Sequence, residues 1–66
     1  MSTIKVIELI GTSDKGWEDA VNQAVQRASK TIRNIRGVDV VGLKCVIEDN
    51  KIVEYRANIK LAFVVD

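Results

Sequence analysis

Few side chains in this 66-residue chain are of types that do chemistry, and their spacing narrows what they could do. Histidine is absent, which removes any nucleophile activated by an imidazole, and Cys45 is the single thiol. Cys45 shares a strand register with Leu43 and Ile47, the setting of an inert, packed cysteine. Glu18 and Asp19 are adjacent carboxylates. Neighbours on a helix point in different directions, so they read as an acidic helix start rather than an acid–base pair. Glu48-Asp49-Asn50 offers oxygen ligands but lacks the twelve-position spacing of an EF-hand loop, and a hairpin turn is the simpler reading. Gly11-Thr12-Ser13 could cradle a phosphate ahead of a helix, yet it has neither GxGxxG nor GxxxxGKS spacing, and helix capping accounts for it. Arg56 and Lys60 fall on one strand face, where they could form salt bridges or meet an anionic ligand held between subunits.

The elements that must position these residues are readable from periodicity. Trp17, Ala20, Val21, Ala24, Val25, Ala28, Ile32 and Ile35 recur at steps of three and four, which predicts one long helix from Asp14 to Arg36 with Trp17 as a core or interface anchor. Thr12 or Ser13 is the expected N-cap and Gly37 the expected stop. Ile4–Ile10 alternates as a first strand that is apolar on both faces. Val38–Ile47 is a second strand whose phase changes near Val40-Val41, predicting a bulge eased by Gly42. Glu48-Asp49-Asn50-Lys51 is a hairpin turn, and Ile52–Val65 is a third, strongly alternating strand. The order is strand, helix, strand, strand. Placing the third strand in the centre gives an all-antiparallel sheet wrapped around the helix, an α+β fold spanning 1–66 as one domain.

Size and composition bound the function. A chain this short is near the limit at which one core is stable alone, and with one cysteine and no histidine neither a disulfide nor a Cys/His zinc site can help. Apolar residues make up 47% of it, which points to association with identical copies. A net charge of +1 and one each of Phe, Tyr and Trp argue against a nucleic-acid binder. No apolar run suggests a membrane span, and a free thiol with no signal-peptide pattern leads to the expectation of a cytoplasmic protein.

Four stretches carry a family resemblance: Val6-Ile7-Glu8-Leu9-Ile10-Gly11-Thr12-Ser13, Trp17-Glu18-Asp19-Ala20-Val21, Ala28-Ser29-Lys30-Thr31-Ile32-Arg33-Asn34-Ile35, and Tyr55-Arg56-Ala57-Asn58-Ile59-Lys60-Leu61-Ala62-Phe63. In this order and spacing the chain resembles the dodecins over nearly its whole length. The resemblance implies a hollow homododecamer that sequesters flavins such as FMN or riboflavin without catalysing a reaction, typically between tryptophans of neighbouring subunits and beside a glutamine. Aligned without gaps, that tryptophan falls at Gly37, and the glutamine falls at Arg56. Gly37 has no π-face, so a stacked flavin loses about 1 kcal/mol per aromatic pair. The chain is thus similar to a branch that keeps Trp17-Glu18 but lacks the stacking tryptophan, some members of which are associated with calcium. Two expectations follow, with cofactor-binding positions at Gly37 and Arg56 and metal ligands unassigned: a binding and storage module for flavin or a related small ligand with weakened flavin affinity, or a flavin-free cage with a structural or calcium-binding role.

Overall fold

The computed structural model describes residues 2–65, which form β1 (Thr3–Ser13), α1 (Trp17–Ala28), β2 (Ile35–Glu48) and β3 (Lys51–Val65). The sheet order is β1-β3-β2 and both pairings are antiparallel, so the longest and most regularly alternating strand lies in the centre. Tyr55, Ala57, Ile59, Leu61 and Phe63 alternate with Glu54, Arg56, Asn58, Lys60 and Ala62, and the first set meets the helix. Ala57, Ile59 and Leu61 are buried, together with Ala20 and Ala24 of α1. Leu9, Val21, Val25 and Val38 close around this cluster.

Small residues set how closely the helix lies on the sheet. A Cβ added at Gly11 would sit 2.0 Å from the Ala20 carbonyl oxygen and 3.0 Å from Ala24 Cβ. Gly11 is therefore the point where α1 rests directly on the β1 backbone. The predicted end of the first strand at Ile10 is overturned: Gly11-Thr12-Ser13 continues β1 to a pairing of Ser13 with Tyr55. Ser13 is not the helix cap either. The N-cap is Gly16, which has no side-chain cap. The Ser13 hydroxyl instead accepts hydrogen bonds from Lys15 N (2.9 Å) and Gly16 N (3.4 Å) and donates to Asp19 Oδ2 (2.6 Å), holding the loop onto the first turn.

The helix is half as long as the periodicity predicts, ending at Ala28 rather than Arg36. Beyond it, Lys30 N and Thr31 N make tight bonds back to Arg27 O and Ala28 O, and the Ser29 hydroxyl donates to Gln26 O at 2.7 Å. Hydroxyl side chains that compete for the last carbonyls, followed by β-branched Thr31 and Ile32, are poor material for further turns. The chain then reverses at Asn34 (φ 62), not at Gly37, and Asn34 O accepts a bond from Val64 N at 3.1 Å. Asparagine is among the few residues that adopt this left-handed conformation readily. Gly37 lies inside β2 with an ordinary φ.

The expected bulge is present, with a register shift between Val40 and Gly42. It keeps Val38 and Val40, opposite Leu61 and Ile59, on the same face as Leu43 and Cys45, opposite Ala57 and Tyr55. Further shifts fall at Ile35/Gly37 and Val46/Ile47. The turn between β2 and β3 places Asp49 at φ 51 and Asn50 at φ 63, the two left-handed residues of a tight hairpin.

Candidate functional site

Gly37 and Arg56 both lie on the sheet face away from the helix. Gly37 pairs with Ala62, and Arg56 pairs with Thr12 on one side and Lys44 on the other. Six residues of β3 separate the two positions, about 20 Å at strand spacing, so one chain does not bring them into one pocket. The Arg56 guanidinium is held by its own strand: Nε and Nη2 donate to Glu54 Oε2 at 3.2 and 3.1 Å.

Around Gly37 there is room. A Cβ built there meets nothing within 4 Å, and the surrounding hollow of about 350 Å³ is lined by Val6, Gly37, Val38, Asp39, Lys60 and Ala62. Lys60 is flanked in register by Glu8 of β1 and Asp39 of β2, which makes a row of two carboxylates around one ammonium. Sequence reasoning placed Lys60 on this face but did not single out Asp39, which the cancelling shifts at Val46/Ile47 and Val40/Gly42 leave directly opposite Lys60. Next along the face, Asn58 lies between Ile10 and Gly42, and its Oδ1 is buried with no hydrogen-bond partner. A buried acceptor without a donor costs about 1–3 kcal/mol, so this position favours a donor supplied from outside the subunit.

Trp17 faces the other way. Its indole Nε1 donates to Lys44 O at 3.0 Å, and its ring meets Tyr55 edge-on with centroids 5.2 Å apart. These contacts make it an anchor between α1 and the sheet. The ring also forms one wall of an apolar groove of about 320 Å³ with Val21, Val40 and Leu43. Glu18 lines the rim of that groove while Asp19 turns to Ser13, so the two carboxylates act apart. Cys45 is half-buried opposite Tyr55.

The single chain fits neither family ligand as it stands. The position expected to supply a stacking ring has no side chain, and among the described residues no group of three or more His, Cys, Asp or Glu side chains could hold a metal ion. Among the same residues, no helix is long and apolar enough to cross a membrane.

Comparison with known proteins is decisive for ancestry. The dodecin family model matches residues 3–66. The chain is 36% identical over 63 residues to calcium dodecin of Mycobacterium tuberculosis, covering 96% of this chain and 89% of that one. It is 34% identical over 59 residues to dodecin of Thermus thermophilus, covering 89% and 86%. In three dimensions it is similar to dodecin from Streptomyces coelicolor, with a TM-score of 0.96 at 35% identity over 98% of this chain and 93% of the other. The crystal structure of the calcium-chelating dodecin of M. tuberculosis, described as having a novel calcium-binding site, superposes with a TM-score of 0.87 at 34% identity, covering 98% and 93%. A shared strand-helix-strand-strand fold and sequence similarity along almost the whole chain lead to one conclusion: this chain belongs to the dodecin family.

Proposed function

We infer that this protein is a non-enzymatic binding and storage subunit that works as a closed homo-oligomer, a dodecamer by family analogy, and holds a small ligand such as a flavin between copies. Flavin binding is weakened relative to members with a stacking tryptophan. The observation that carries this reading is the open hollow at Gly37, which lies on a sheet face that the helix does not cover. On that face Val6 is 53% and Ile10 60% exposed, surface that a second copy would remove from water at about 25 cal/mol per Å². Arg56, remote from Gly37 within one chain, reaches a shared pocket only if another subunit contributes it.

Riboflavin or FMN fluorescence titration on the assembled protein tests the ligand. Colourless protein as purified and shallow quenching, with half-saturation at micromolar flavin or above, are expected. No quenching at any concentration would remove flavin as the ligand. The calcium reading draws on the 36% identity to calcium dodecin. It requires carboxylates gathered from several copies, and calorimetry with calcium alone on the assembled protein separates it from the flavin reading.

A further inference from the structure

Two ends of this molecule carry opposite charge and cannot meet within one chain. Between Arg27 and Val38 the sequence has four cations, Arg27, Lys30, Arg33 and Arg36, and no carboxylate. All four are exposed, and among the described residues none forms a salt bridge. This basic connector lies at the far end of β3, where Val64 N bonds Asn34 O. The apolar residues beside it, Ile4 and Val65, are exposed.

At the opposite end is the β2–β3 turn, with Glu48 and Asp49 exposed and only Lys51 to offset them. Behind the turn, Ile47, Ile52 and Val53 are exposed, because β1 ends opposite Tyr55 and leaves the hairpin tip as a bare two-stranded ribbon. Lys51 to Val64 spans thirteen strand steps, about 43 Å, in a molecule whose longest dimension is 50 Å. That is several times the screening length of about 8 Å at physiological salt, so neither end neutralises the other in one chain.

We propose that the acidic hairpin tip of one copy docks on the basic connector of a second copy, with Glu48 and Asp49 facing the Arg27–Arg36 cations and Ile47, Ile52 and Val53 lying against Ile4 and Val65. The contact joins unlike surfaces, head to tail, and is the kind that closes into rings when repeated. It rests on the reading that the chain assembles with itself, and it adds which surfaces pair.

Charge exchange tests it. In the tip, Glu48→Lys is combined with Asp49→Asn, because asparagine keeps the left-handed preference that position 49 needs. In the connector, Lys30→Glu is combined with Arg33→Glu. Sedimentation velocity across a dilution series is expected to show each pair of changes raising the concentration at which the assembly dissociates by about tenfold. The chain carrying all four changes, in which a basic tip meets a connector that is neutral overall, should lose less than the two separate losses added together, and salt should weaken the parent most. Tip and connector variants that assemble like the parent, or a four-change chain no better than the sum of its parts, would overturn the pairing while leaving self-assembly intact. A parent chain that sediments as a monomer would instead remove the assembly reading, and this contact with it.

Discussion

The molecule has a finished half and an unfinished half. In the first, β1, α1 and the stretch of β3 from Tyr55 to Phe63 enclose Ala20, Ala24, Ala57, Ile59 and Leu61. In the second, the hairpin tip and the outer sheet face present apolar side chains with nothing over them: Ile47 is 56% and Ile52 50% exposed. The helix explains the division. Twelve residues span about 18 Å, less than half the length of the hairpin it would have to cover. Its first residue, Trp17, already sits at Lys44 and Tyr55, so the hairpin tip runs on past the N-terminal end of the helix, and the outer face lies on the other side of the sheet; neither is covered within the subunit.

Breaking the finished half should have the largest effect. Gly11→Ala places a methyl group against the Ala20 carbonyl at a spacing no side chain tolerates, so α1 has to lift from β1. A loss of about 3 kcal/mol or more is expected in chemical denaturation at fixed protein concentration, because assembly couples to stability. A loss below about 1 kcal/mol would mean that the helix is not seated on this strand. The unfinished half should respond differently. Ile47→Ser with Ile52→Ser removes two cross-strand neighbours that are each about half exposed within the subunit, at 56% and 50%. Covering the exposed half of each is worth about 1 kcal/mol, so assembly should weaken by an order of magnitude or more while the far-ultraviolet spectrum of the subunit is retained. Assembly like that of the parent would show that the ribbon is not an interface.

Within the finished half, the Ser13 loop offers a smaller change. Ser13→Ala removes one donor to Asp19 and one acceptor shared by Lys15 and Gly16. With water able to reach the freed backbone groups, a loss of about 1–2 kcal/mol is expected, without a change in assembly. A comparable effect on oligomer size would place this loop in a subunit contact and blur the division.

The same division tracks what was legible in the sequence. Regular alternation on β3 identified the central strand, and Asp49-Asn50 identified the turn, because both depend on local period and local φ. The bulge at Val40/Gly42 was legible from a break in phase. The helix end was not. Ile32 and Ile35 continue the three-and-four spacing by coincidence, and what ends the helix is the competition of Ser29 and Thr31 for carbonyls and the docking of Asn34 on Val64, a contact thirty residues away in sequence. Ser13 was read as a cap because a serine before an apolar helix usually is one, yet Gly11 is needed in β1 and carries the strand past it. For the candidate site, Gly37 was identified by resemblance alone, while Arg56 was also legible as a cation on one strand face; their separation along β3 follows once the hairpin pairs Gly37 with Ala62.

The smallest expected effect addresses the unfinished half most directly. Gly37 has ordinary backbone angles and free space where a side chain would begin, so Gly37→Trp should be accepted by the subunit without loss of stability. If the hollow beside it is a flavin pocket completed by another copy, the added ring should tighten riboflavin binding by about fivefold, the worth of one aromatic pair of about 1 kcal/mol. Fluorescence quenching of assembled protein measures it. Unchanged affinity would implicate the second departure from the family pattern, and Arg56→Gln in the same chain then decides. That change releases Glu54 and restores an amide in place of a guanidinium that Glu54 now holds through two nitrogens. Tightening in the double variant beyond the sum of the two single changes would mean that ring and amide from different copies act on one ligand, so that positions about 20 Å apart in one chain form a single site in the assembly.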